Sequence, residues 1–295
     1  MEHEPASPEK IRQHTEKLLR RADAIDRWPT PVQNILEASK LEEVPESPLA
    51  ASVLNRAPEH LRHAVRLLKT GKVRAILDRR ARVVHIDPEI DNEGRRHFVA
   101  LHEVTHDLLP WQRELGYADN DATLSDRARQ TFEREANQGA AEMFFQGGRF
   151  TAIAANFEIG MEAVSALHEQ SGASLRATLR RYAETHRHPL CAIAMEPSPC
   201  QVTPLGYQRL EVSQSSSWSQ RFGRTWPSQL TADAFPFLLC VCDPQHRDFV
   251  WPDLDNEPVA VHAEVIKTPY NTLLLLWVAR RQRLVRKVRV TGRAA

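Results

Sequence analysis

The spacing of apolar residues changes character once along this chain, at Pro189, and that change limits the possible folds more than any other feature. Before it, apolar residues recur three and four apart, as on one face of a helix. After it, they come in runs of strand length. Ser7-Pro8 reads as a cap and first helical turn, followed by Ile11, Leu18, Leu19, Ala22 and Ile25 on one face. Thr30-Pro31-Val32-Gln33 reads as a second start, with Gln33 three residues after a capping Thr30. Pro45-Glu46-Ser47-Pro48 reads as a linker, and a helix is expected from Pro58 through Leu68. Two short strands, Lys72–Leu77 and Arg82–Ile86, are split by Asp78-Arg79-Arg80. A helix from Arg95 to Leu109 is stopped by Pro110, and a polar loop spans Gly116 to Asp121. A long helix then runs from Ser125 to about Gln146, closed by Gly147-Gly148, with shorter helices to about His188. Beyond Pro189, strands are expected at Leu190–Met195, Phe237–Val241, Asp248–Trp251, Val259–Ile266, Thr272–Val278 and Leu284–Val290, with Ser213–Ser219 as a loop. The expectation is an α+β chain: a mostly helical domain with a small sheet over residues 1–188, then an antiparallel β-rich module over 189–295.

Composition narrows the class. Of 295 residues, 42% are hydrophobic and 26% charged, which excludes global disorder and fibrous repeats. Lys+Arg is 39 against Asp+Glu 38, so the whole chain carries no charge bias toward nucleic acid or anionic membrane. Four cysteines (Cys191, Cys200, Cys240, Cys242) are too few for a disulfide framework and suit a reduced, cytoplasmic protein. The residues after Met1 lack a basic then apolar leader, so no secretory signal is expected. The longest apolar run, Leu273 to Ala279, is far below the roughly 20 residues of a membrane span.

The chemistry concentrates in His102-Glu103-Val104-Thr105-His106, inside the Arg95–Leu109 helix. Residues four apart on a helix lie about 40° apart around the axis and about 6 Å along it. Both imidazoles can therefore reach one Zn²⁺, with Glu103 beside it as a base for water. Phe98, Leu101 and Leu108 would supply the buried side. Catalytic zinc usually takes a third protein ligand. A third histidine six residues on is excluded, because Gln112 stands there and Leu109 replaces the glycine of that pattern. A carboxylate from the next helix is the alternative: Glu133 with Asn137 one turn on, Asn137 hydrogen-bonding a ligand. Glu135 and Glu142 are rival donors, although Glu135 lies about 200° round the helix from Glu133.

Together, Arg82–Pro88, His102–His106, Glu133-Arg134-Glu135-Ala136-Asn137 with Ala140-Ala141, and Ser171 to Tyr182 resemble the ImmA/IrrE family of zinc metallopeptidases, over about residues 30–195. The resemblance implies a zincin-like catalytic domain with one Zn²⁺ per chain held by His102, His106 and Glu133, and Glu103 as catalytic base. It also implies cleavage of a helix-turn-helix transcriptional repressor, regulating stress-response or mobile-element genes. Glu142-Met143-Phe144-Phe145-Gln146-Gly147-Gly148 departs from the family pattern, which suggests a different cleft wall. No fused DNA-binding motif is apparent, so the repressor would be a separate protein and direct nucleic-acid binding is not expected. The alternative is a non-proteolytic regulator with the same fold that binds a repressor or toxin. No feature sets the oligomeric state.

Several residues leave choices open. Tyr117, His168 and Tyr182 are candidates to stabilise an oxyanion. The strand Arg82–Ile86 could hold a substrate backbone as an added strand. Cys240 and Cys242, on one face of an expected strand, read as packed thiols rather than as a second zinc site. The basic run Arg280 to Arg289 reads as a last strand with one solvated face. The tryptophans, among them Trp218, Trp226, Trp251 and Trp277, read as core of the module.

Overall fold

In a computed structural model of the chain, residues 6–44, 74–113, 126–197, 206–243 and 247–279 are described. The expected helix from Pro58, the linker at Pro45, Tyr117, Cys200, the basic run and the strand Leu284–Val290 lie outside them. The chain is α+β and divides into two compact units, Met1–Tyr182 and Ala183–Ala295.

The first unit begins with α1 (Pro8–Arg21), where Ser7 accepts a hydrogen bond from the Lys10 backbone N–H and Pro8 opens the helix. Ile11, Leu18 and Leu19 form its buried face. After α2 (Val32–Ala38) comes β1 (Glu42–Val44), then the hairpin of β2 (Ala75–Asp78) and β3 (Val83–Ile86). The Asp78 carboxylate accepts from the Arg80 and Ala81 backbone N–H groups, both at 2.9 Å, and sets that turn. Thr30 does not cap α2; its hydroxyl donates to the Phe144 carbonyl, and Pro31 occupies the cap position without a side-chain bond.

The three strands form a mixed sheet in the order β1-β3-β2, with β1 parallel and β2 antiparallel to β3. The Arg82–Ile86 strand is thus paired on both sides and cannot accept an added peptide strand. The sequence hid this because β1 is three residues long and two of them are glutamates, so it has no apolar alternation.

Against this sheet packs α3 (Glu93–Leu108), capped by Asn92 accepting from the Arg95 backbone N–H at 2.8 Å. Ala100, Leu101, Val104 and Thr105 form its buried stripe, while Phe98 and Leu108 are half-buried. Burying Leu101 and Val104 contributes about 1.5–3 kcal/mol each. Leu109 is extended, as the residue before Pro110 must be, and that ends the helix. The long α4 (Asp126–Phe144) packs on α3 and on α1. Gly139 lets the two long helices meet: a Cβ there would lie 2.9 Å from the Thr105 hydroxyl and closer still to its methyl.

The segment after α4 is a staple. Gln146, fully buried with φ +48°, accepts from the Asp26 backbone N–H and donates to the Arg27 carbonyl and the Thr30 hydroxyl. Glu142, also buried, pairs with Arg12 and Arg181. Gln146 thus clamps residues 26–30, and Glu142 ties Arg12 to Arg181. Three shorter helices follow: α5 (Gly148–Ala154), α6 (Met161–Ser171) and α7 (Leu175–Thr185).

The second unit is a six-stranded antiparallel sheet in the order β6-β5-β4-β9-β8-β7. Its strands are β4 (Leu190–Pro197), β5 (Gly206–Gln214), β6 (Gln229–Thr231), β7 (Asp248–Pro252), β8 (Pro258–Lys267) and β9 (Thr272–Val278). The two central strands are the most apolar, and Leu190–Met195 and Thr272–Leu276 are buried throughout. Cys191, Ile193, Met195, Leu274 and Leu276 join Trp218, Phe237, Phe249 and Val261 in one core, with Trp226 and Trp251 packed against it.

Three expectations in this unit are corrected. Phe237–Val241 lies in a 3₁₀ helix (Pro236–Val241), because a short continuous apolar run suits either state and Pro236 opens the turn. Cys240 and Cys242 therefore do not share a face: Cys240 is buried and Cys242 exposed. Ser213–Ser219 is not a loop but the end of β5 and the start of α8 (Ser216–Phe222), capped by Ser215 and anchored by the buried Trp218. Among the described residues no helix is long and apolar enough to cross a membrane.

Candidate metal centre

His102 and His106 leave α3 on the side facing α4, and Glu133 comes from the second turn of α4. The His102 and His106 Nε2 atoms are 3.1 Å apart. Glu133 Oε2 lies 3.3 Å from His102 Nε2, and Oε1 lies 3.6 Å from His106 Nε2. A tetrahedral ion with bonds of about 2.0–2.1 Å separates its ligand atoms by about 3.3 Å. The histidine pair is close to that separation, and one donor atom from each of the three residues lies within 4.8 Å of the others; they are the one His/Cys/Asp/Glu group among the described residues close enough to hold a metal.

The electrostatics agree. Two neutral imidazole lone pairs facing each other at 3.1 Å repel, so a proton or a cation must lie between them. Burial lowers the His102 pKa, but the Glu133 hydrogen bond, the charges of Glu103 and Glu133 and a hydrogen bond with Asn137 outweigh it, and the value is raised. His106 is lowered, first by burial and also by the His102 charge. Burial would raise Glu133, yet the hydrogen bond and charges of the two histidines bring it below the ordinary carboxylate value.

Glu103 is half-buried on the turn between the histidines, and among the described residues no hydrogen bond or ion pair holds its carboxylate. Asn137, one turn on from Glu133, is near enough to His102 to help raise its pKa. Of the rival donors, Glu135 faces away from the histidine pair and Glu142 serves the Arg12–Arg181 clamp. His168 hydrogen-bonds the Ala173 carbonyl beyond the end of α6, and Tyr182 is fully buried.

Sequence reasoning missed what supports the site. The β2–β3 turn grips the end of α3: Arg79 donates to the His106 carbonyl at 3.1 Å, and Arg82 forks onto the buried Asp107 carboxylate with two 2.8 Å bonds. Arg96 of α3 pairs with Glu43 of β1 at 2.6 Å. Gln112, rejected as a ligand, touches His106 from behind at 2.7 Å. The readable signal was Asp107 beside the second histidine, a charge placed among buried positions.

No protein-family model matches the chain, and no curated protein does. Among solved structures, the chain is similar in fold to a Mycobacterium tuberculosis transcriptional regulator. The TM-score is 0.52 at 12% identity, over 91% of this chain and 76% of that one.

Proposed function

We propose that the chain is a zinc-dependent endopeptidase of the ImmA/IrrE kind, acting on a regulatory protein, with a helix-turn-helix repressor as the favoured substrate. The observation that carries the reading is the convergence of His102, His106 and Glu133 at ligand spacing, with Glu103 on the adjoining turn. The fold likeness to a transcriptional regulator supports a role in gene control.

Bound zinc would supply Lewis acidity, polarising a peptide carbonyl and making water a better nucleophile at neutral pH. His102, His106 and Glu133 would hold it. Glu103, which has no structural partner among the described residues, accepts the proton of the attacking water and delivers it to the leaving amine. The half-buried setting of the histidines limits water around that transfer. An extended substrate could pair with β2, whose outer edge is unpaired among the described residues.

The test is Glu103→Gln, assayed for metal content and for cleavage of repressors encoded near its gene, with and without chelator. Zinc should be retained while cleavage falls by about 10²–10⁴-fold. Undiminished or chelator-insensitive cleavage contradicts the mechanism. Tight repressor binding without cleavage in the wild type would point to the non-proteolytic regulator instead.

A further inference from the structure

Behind His106 runs a buried chain of hydrogen bonds whose polarity is fixed from one end. Glu135, 4% exposed, receives N–H donors that include the Ala6 backbone at 2.7 Å on Oε1, and Trp111 Nε1 at 2.8 Å and Gln112 Nε2 at 2.7 Å on Oε2. The Gln112 atom turned to Glu135 also faces the Phe132 carbonyl, which can only accept, so that atom must be the NH₂ group. The same NH₂ also donates to the Phe132 carbonyl at 3.3 Å. The amide oxygen of Gln112 is left facing His106 Nδ1 at 2.7 Å, where it can only accept, so Nδ1 must carry the proton. A neutral His106 then presents a bare lone pair on Nε2, the atom aimed at His102 and Glu133.

We infer that Glu135 and Gln112 form a positioning relay that fixes the metal-binding tautomer and ring orientation of His106. The consequence for metal rests on the zinc-site reading; the tautomer assignment does not. Neither residue touches the reacting atoms. Gln112 is 2% exposed and sits on the turn after Pro110, so it is held as firmly as the ring it orients. The relay also ties the site to the start of the chain, through the Ala6 N–H and through Lys10, whose ammonium lies 4.4 Å over the Trp111 ring.

Histidine ¹⁵N NMR on the metal-free full chain tests the tautomer directly. The neutral form of His106 should show Nδ1 protonated and Nε2 bare; a protonated Nε2 with bare Nδ1 overturns the inference. Gln112→Leu removes the acceptor with little change of volume. It should mix the tautomers and weaken zinc binding by about 10–100-fold. Unchanged zinc affinity in a folded Gln112→Leu contradicts the relay. If that variant does not fold, the wild-type NMR decides. If the wild type binds no zinc, the zinc reading fails while the tautomer result still stands or falls alone.

Discussion

The two units bury different things. Among the described residues, every carboxylate that is buried (Asp107, Glu135 and Glu142) lies in the first unit, each tied to arginine or to a set of N–H donors. The second unit buries Trp218, Phe237 and the leucines of β9, and its buried polar residues are two serines and a threonine. Desolvating a carboxylate costs several kcal/mol before its partners offset the loss, whereas apolar burial stabilises directly. A chain places buried charge where geometry matters more than net stability. Here the buried charges surround the helices that carry His102, His106 and Glu133. The cysteines fit the same contrast: burial raises Cys191 well above the ordinary thiol value and pushes Cys240 up to about 12, so both pack as neutral side chains.

The contrast can be broken most sharply in the second unit. Trp218→Ala should cost about 3–5 kcal/mol of stability, seen in denaturant unfolding, with zinc affinity unchanged. A large loss of zinc binding would show that the units do not divide the work this way. In the first unit, Arg82→Ala leaves Asp107 buried without its fork and should cost about 3 kcal/mol. Zinc affinity should fall with it, because Asp107 adjoins His106 at the end of α3. Gly139→Ala forces a methyl against Thr105 and should cost about 1–3 kcal/mol, again weakening zinc binding by moving Glu133 from the histidines. Stability lost with full zinc affinity would mean the α3–α4 approach does not set the site.

The smallest effect is one of pH. Zinc needs both imidazoles neutral, and the raised value of His102 means its proton is the last to leave. Affinity should therefore climb as pH rises, about tenfold per unit below the His102 pKa, and level off only above the ordinary histidine value of about 6.5. A plateau already reached well below that value would remove the proton from between the rings.

How much of this could be read in advance depends on the range of the interactions. The α3 and α4 helices and the strands β4, β7, β8 and β9 were legible because each carries its own period or apolar run. The pairing of His102 and His106 was legible for the same reason, since it lies within one helical turn. Glu133 came from spacing aided by family resemblance. The relay was not legible, because Gln112 and Glu135 are 23 residues apart and meet only after α4 packs on α3. The grip of Arg82 on Asp107 spans 25 residues and depends on a turn with Arg82 at φ +60°. The 3₁₀ helix at Pro236 and the helix at Ser216 were missed because a short apolar run and a serine-rich stretch have no period to read.

The most direct test is a zinc titration of the metal-depleted chain beside Glu133→Ala and His106→Ala. One zinc per wild-type chain, with affinity reduced at least 100-fold in both folded variants, is the expected result. Zinc bound equally well by all three, or by none, would contradict a metal centre built from these residues.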